Sequence, residues 1–449
     1  MKKGMFFALA ASSLLFSACS SDDAVVSTVG QNEAVQQIVL QVASSGDGLT
    51  TRAGRPLYSS QALQTIQNVR VVIYNADTKE IVKDATQDWT KSTTYNNHGH
   101  GRQFTLTFKG DQRLNAGNYK VMAVGYSNES DYNYSLDATN AVGLTYSDIT
   151  ATLKAGKKDA EEVFAGDAAL TIGADKKITN LTTGEENGVA VTLHRQVAGS
   201  FGYFQNIPAS VNGKAAKTLR LVVRDKNNML TFNNFNSSFT ANGATGSTVK
   251  YYVNGSKSTG TALTTDAQFK GGDNGYVLYS INLDTWFPGG DQNNDGVLNG
   301  DDNNWNHPTN VRTTVVKGSV FGSNFVIPFA LTHDKNTMEL QLLDAGDNII
   351  KTWTVSIPTA DINSVATGGN VADESAFVFN VVRNHMYNLG VKPSNGGTTD
   401  PDPGNPDPEP KPDPDKPDPD QPEDLSKSQN LILKVNDNWE AIHKLELGE

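Results

Sequence analysis

Apolar and polar side chains alternate with a period of two through most of this chain, and helical periodicity is nearly absent. The segments NVRVVIYNAD at 68–77, QFTLTFKG at 103–110, NYKVMAVGY at 118–126, TLRLVVRD at 218–225, MELQLLD at 338–344 and IIKTWTVSIP at 349–358 all follow the rule. Successive side chains of a strand point to opposite faces, so each such segment buries one face. YVLYSINL at 276–283, TTVVKGSVFG at 313–322 and AFVFNVVRNHMYNLGV at 376–391 continue the series, and VAVTLHRQVAGSFGYF at 189–204 reads as one long alternation. Turn-rich connections separate the segments, drawing on 40 glycines and many Asn and Asp residues. Many short strands so connected predict an all-β protein built of sandwiches. Residues 59–67 are the best candidate for a short helix. At 449 residues the chain has room for more than one domain, and the polar run TTGEENG suggests a division into 53–188 and 189–396.

The N-terminus carries Lys2 and Lys3, a short apolar run at 5–16, and then Ser17-Ala18-Cys19. The run is too short to span a bilayer. It resembles a lipoprotein signal, with residues 1–18 removed and Cys19 acylated as the first residue; Phe16 stands where leucine is usual. Ser20-Ser21-Asp22-Asp23 resembles the acidic signal that directs Bacteroidetes lipoproteins to the cell surface. Cys19 is the single cysteine, so no disulfide framework is available. A formal net charge of −12 offers no basic surplus to attract a phosphate backbone, which excludes a nucleic-acid partner.

Residues 34–43, AVQQIVLQVA, form a candidate strand in which Ile38, Leu40 and Val42 share one face. The small, Gly-rich loop SSGDGLTTRAG at 44–54 follows, and accessible loops of this kind are preferred nicking sites. Arg52 before Ala53 offers a trypsin-like protease the cation it requires; the alternative is an ordinary surface arginine. At the other end, residues 397–424 interleave Pro with Asp, Asn and Lys, which makes a semi-rigid, polyproline-like spacer. Behind it, residues 425–449 include NLILKVNDNWEAIHKLELGE. Leu431, Leu433 and Val435 alternate there as Ile38, Leu40 and Val42 do. Carried past its own domain by the spacer, such a strand would have to bury its apolar face in another molecule.

In DQNNDGVLNGDD, the residues Asp291, Asn293, Asp295, Val297 (through its carbonyl), Asn299 and Asp302 fall at positions 1, 3, 5, 7, 9 and 12, with Gly296 at position 6. That spacing matches a calcium loop of the EF-hand or dockerin type, with Asp in place of the closing Glu. The alternative is an Asn/Asp-rich turn. His98 and His100 in NNHGHG have no companion ligands and suit a loop. Phosphate-binding loops, nucleophile elbows and zinc signatures are absent, so no enzymatic activity is expected.

Taken in order, the cysteine at 19, the strand at 34–43, Thr51-Arg52-Ala53, VVIYNAD at 71–77, LHRQVAG at 193–199, RNHMYNLGV at 383–391 and LILKVNDNWE with Trp439 resemble the fimbrillins of Bacteroidetes type V pili, the FimA/Mfa-like family. The resemblance implies two transthyretin-like, Greek-key β-sandwich domains on a surface lipoprotein of the outer membrane. It implies cleavage after Arg52 by a trypsin-like protease and departure of the first strand within the propeptide 19–52. The C-terminal strand of another fimbrillin subunit, of this or an accessory kind, would then enter the vacated groove. The alternative is a monomeric surface lipoprotein or tip adhesin that binds glycan or a host ligand through aromatics such as Trp286, Trp305, Tyr251 and Tyr252.

Overall fold

In the computed structural model the described residues are 35–42, 66–95, 101–136, 140–157, 159–182, 188–223, 226–233, 235, 254–256, 277–306, 315–330, 338–356, 380–381, 383, 386–390, 422–427, 430–432 and 434–436. Almost all of the regular structure is strand, as the period-two pattern requires. The first ten strands are β1 (Gln36–Val42), β2 (Asn68–Asn75), β3 (Ile81–Asp88), β4 (Thr93–Tyr95), β5 (Gly101–Phe108), β6 (Gly117–Tyr126), β7 (Tyr132–Tyr134), β8 (Ile149–Leu153), β9 (Phe164–Ile172) and β10 (Gly188–Arg195). Eight of them form one path in the order β3-β2-β6-β9-β10-β1-β5-β4. β10 turns the corner. Its residues 188–193 run parallel to β1, and His194 and Arg195 pair antiparallel with β9. Gly166 of β9 makes the corner possible, because a Cβ there would stand 2.0 Å from the Thr192 carbonyl oxygen.

The folded path encloses a core containing Ile38, Leu40, Val42, Val69, Val71, Ile73, Val121, Leu106, Val191 and Leu193. The opposite faces of β2 and β6 are also largely buried at their centres. Val72, Tyr74, Met122 and Val124 belong to a second core. These strands are a wall shared by two cores, which is why VVIY and VMAV read as continuous apolar runs.

The remaining strands are β11 (Ala198–Gln205), β12 (Ile207–Pro208), β13 (Ser210–Val211), β14 (Lys214–Ala215), β15 (Thr218–Val223), β16 (Met229–Phe232), β17 (Gly255–Ser256), β18 (Val277–Asn282), β19 (Val297–Leu298), β20 (Val320–Val326), β21 (Phe329–Ala330), β22 (Met338–Leu343), β23 (Ile349–Ser356), β24 (Asn380–Val381), β25 (Met386–Leu389), β26 (Glu423–Asp424), β27 (Asn430–Ile432) and β28 (Lys434–Asn436). One sheet has the order β20-β11-β25-β28, with β26 also on β11, and another the order β18-β15-β22-β23-β27. Phe201, Tyr203, Leu219, Leu221, Leu340, Trp353 and Leu389 from these two sheets fill the second core. β7 and β8 join β16 and β17 in a further sheet. A single helical turn at Leu283–Trp286 is capped by the Asn282 side chain.

One sequence expectation changes. The division expected at 188/189 falls at the first residue of β10, yet β10 pairs with β1 and β9. The change of sheet comes at Gln196 and Val197, so 189–204 is two strands rather than one. The candidate helix at 59–67 lies outside the described residues apart from its last two, which are irregular.

Candidate functional site

β1 occupies a slot between β10, to which it is parallel, and β5, to which it is antiparallel. It is therefore an interior strand, hydrogen-bonded along both edges, and not the edge strand a removable element suggests. Its alternation places Ile38, Leu40 and Val42 in the first core, where they are almost fully buried. Gln37 and Gln41 are half-buried on the other face.

A residue the sequence reading passed over closes one end of the slot. Gln36, two positions before Ile38, is 1% exposed. Its Oε1 accepts the Leu114 backbone N–H at 2.8 Å, and its Nε2 donates to the Leu114 carbonyl at 3.0 Å and the Lys176 carbonyl at 2.9 Å. The available signal was a polar residue in phase with the apolar face of a strand.

The C-terminal segment is not a strand without a sheet. β27 lies parallel along the edge of β23, with Leu431 opposite Val355 and 1% exposed. β28 lies antiparallel along the edge of β25, with Val435 opposite Tyr387. The segment thus passes from one sheet to the other of its own chain. Leu425 is buried, and its N–H bonds to the Gln205 carbonyl at 3.0 Å. β20 covers one edge of β11, so β25 and β26 share the other edge in line, both parallel to β11. Residues 389 and 423, on either side of the Pro/Asp tract in the sequence, therefore lie on the same edge. In β26, burial pushes the Asp424 carboxyl up, but hydrogen bonds from Ser426, Lys427 and Asn206 outweigh it and bring the pKa to about 2. Cys19, Arg52, Ala53, Leu433 and Trp439 lie outside the described residues.

The 291–302 loop is held by β19, which pairs with β12 and sends Leu298 into the second core. Gly318 lets the loop end pack closely, since a Cβ there would be 2.0 Å from the Gly300 nitrogen. Asp291 accepts from the N–H groups of Asn294 and Gly296, Asn293 from that of Asp295, Asp295 from that of Val297, and Asn299 from that of Asp301. Asp302, 1% exposed, accepts from Gln292, Asn293 and Asn299. The Val297 bond, then that of Asn299, holds the Asp295 carboxyl below its ordinary value. Among the described residues no three acidic or imidazole side chains converge as a metal cage. The backbone N–H groups thus tie the side chains at 291, 293, 295, 299 and 302 to the turn.

Of the four named aromatics, the two tryptophans pack into the fold. Trp286 is 6% exposed and meets Phe321 edge-on at 5.0 Å between ring centroids. Trp305 is partly buried and donates its indole N–H to the Ser319 carbonyl. Tyr251 and Tyr252 lie outside the described residues. Among the described residues no helix is long and apolar enough to cross a membrane.

The strand paths and two cores define an all-β, multi-sheet protein whose structural neighbours are Bacteroidetes fimbrial proteins. One is a fimbrial assembly protein from Parabacteroides distasonis, 14% identical, covering 81% of this chain and 92% of its own, with a TM-score of 0.34. The tip fimbrial protein Mfa3 from Porphyromonas gingivalis is 10% identical over 79% of this chain and 94% of its own, at 0.33. The fimbrial anchor protein Mfa2 from the same organism is 10% identical over 79% and 90%, at 0.32. No protein-family model and no curated protein matches the sequence.

Proposed function

We propose that this protein is a structural, non-enzymatic subunit of a cell-surface fibre, in stalk position, that polymerises by exchange of β1. Export as a lipoprotein through Cys19 brings it to the outer membrane. A trypsin-like protease cuts between Arg52 and Ala53, and residues 425–449 of another copy displace β1 and fill the slot.

The observation that carries the proposal is the position of β1. It completes both a sheet and a core, so its departure leaves unpaired backbone on β5 and β10 above an open apolar trough. An entering strand restores main-chain bonds and core together. The slot outcompetes the segment's own resting place. β27 and β28 are three residues each, on single edges, whereas β1 is seven residues paired on both. A head-to-tail contact of this kind does not close on itself and so builds a filament.

Arg-specific cleavage of the soluble precursor at high concentration tests this. The expected result is a cut after Arg52 followed by a ladder of oligomers, and removal of 430–449 abolishes the ladder without unfolding the monomer. Monomers that persist after complete cleavage and loss of β1 overturn the proposal. The second expectation, ligand binding by a monomer or tip adhesin, gains no support from the buried Trp286. Calcium at 291–302 is proposed on residue spacing alone; a melting temperature unmoved by added calcium or chelator rejects it.

A further inference from the structure

The pocket around Gln36 asks for a particular side chain. The Leu114 N–H needs an acceptor, and the carbonyls of Leu114 and Lys176 need donors. A carboxamide supplies both kinds from one planar group; a carboxylate lacks the donors, and an apolar side chain supplies neither. Any strand that replaces β1 must bring such a group to this point, or leave buried polar groups without partners.

The chain contains a second segment with the required pattern. Residues 36–42 read QQIVLQV and residues 429–435 read QNLILKV. Aligned in the same direction, both run polar, polar, apolar, apolar, apolar, polar, apolar. Gln429 stands two positions before Leu431 as Gln36 stands two before Ile38, so in one continuous extended strand Gln429, Leu431, Leu433 and Val435 would share a face.

We propose that Gln429 of a second copy takes the place of Gln36 and fixes the register of strand exchange. This inference rests on the exchange proposed above. The entering strand runs parallel to β10 and antiparallel to β5, with Leu431, Leu433 and Val435 in the positions of Ile38, Leu40 and Val42. Other registers fail for stated reasons. A slip of one residue turns Asn430, Ile432 and Lys434 into the core. A slip of two in one direction puts Leu431 into the carboxamide pocket. In the other direction it puts Lys427 there and Gln429 into the trough.

The test uses full-length precursor as two singly substituted copies mixed in equal amounts. One carries Lys434→Cys; the other carries Cys at Gly101, Gln103 or Thr105. Cleavage after Arg52 removes Cys19, so no other thiol remains in the polymer. Gln41 lies opposite Gln103, so Lys434→Cys is expected to cross-link to Gln103→Cys and not to the two flanking positions. With Gln429→Leu added to the donor copy, the ladder is expected to form about tenfold more slowly and cross-links to spread to Gly101→Cys and Thr105→Cys. Gln429→Asn, which keeps the carboxamide one methylene short, is expected to fall between and guards against a folding defect in the leucine variant. Unchanged melting of each uncut variant shows that the fold is intact. If wild type forms no ladder, strand exchange itself fails. If wild type and Gln429→Leu form ladders at the same rate and both cross-link at Gln103→Cys alone, exchange stands and the register role of Gln429 is overturned.

Discussion

Leu389 and Glu423 stand two register positions apart on the same edge of β11, opposite Gly202 and Phe204, with residues 390–422 between them in the chain. At roughly 3.3 Å per residue, the anchored ends are about 7 Å apart. The residues on either side of the Pro/Asp tract therefore lie on one strand line. Replacing 397–421 with a short Gly/Ser linker roughly halves the closed length, which reduces the entropy cost of closure by about 0.6 kcal/mol. The expected outcome in thermal melting is an unchanged or slightly higher midpoint. A fall of several degrees would show that the tract packs on the fold.

Where β10 meets β9, Arg195 donates from Nε and Nη2 to one oxygen of Glu162 at 2.9 and 2.8 Å, with both side chains fully buried. The guanidinium also lies over the Phe164 ring, 5.1 Å from its centroid. Removing one partner strands a buried charge, at a loss of about 3–5 kcal/mol. Arg195→Met is expected to lose that much in urea unfolding, and Arg195→Met with Glu162→Leu to recover most of it. A single variant within about 1 kcal/mol of wild type would contradict the assignment of the pair to this corner.

The sequence made some of this legible and hid the rest for physical reasons. Ile38, Leu40 and Val42 could be placed on one face because that face of β1 fills the first core, while the other face carries half-buried Gln37 and Gln41 around the buried Val39. In β2 the rule failed: Val71 and Ile73 serve one core, Val72 and Tyr74 the other, so a shared wall carries no alternation. The break between β10 and β11 was invisible because both strands keep the same rhythm, and only their partners differ. Docking of 430–436 onto β23 and β25 is a long-range pairing that no local pattern announces. At 291–302 the spacing was plain, but the backbone N–H groups that Asp291 and Asp302 accept from are set by the folded turn.

Acid should loosen the return of the chain to β11. Hydrogen bonds hold the Asp424 carboxyl at about 2, below its model-compound value of 3.8. A group whose folded value is depressed stabilises fully above its unfolded value and loses that contribution as pH falls toward the folded one. The window is therefore from about pH 4 down to about 2. Asp88, Asp295 and Asp344 are also lowered, chiefly by hydrogen bonds from Thr90, Val297 and Asn348, and add to the same limb. Hydrogen exchange of the 423–427 amides should accelerate across this window in wild type. In Asp424→Asn it should already be fast at neutral pH and change less on acidification. Parallel pH profiles in the two proteins would remove Asp424 from the account.

Cleavage alone should not release β1. Burial of Ile38, Leu40 and Val42 contributes about 1.5–3 kcal/mol per side chain, about 5–9 kcal/mol in all, before any of its backbone pairing is counted. That is comparable with the whole stability of a typical domain, about 5–15 kcal/mol, so an empty slot is a poor intermediate. The incoming segment must displace β1 stepwise along the slot, and the cut only frees β1 to yield. Precursor cut after Arg52 and kept dilute should retain the 19–52 peptide through native gel filtration. Release should rise with protein concentration in step with the oligomer ladder, and a variant lacking 430–449 should hold the peptide at every concentration. Quantifying the peptide by mass spectrometry against total cut chain decides the matter, because release at a rate independent of concentration would mean that β1 leaves before its replacement arrives.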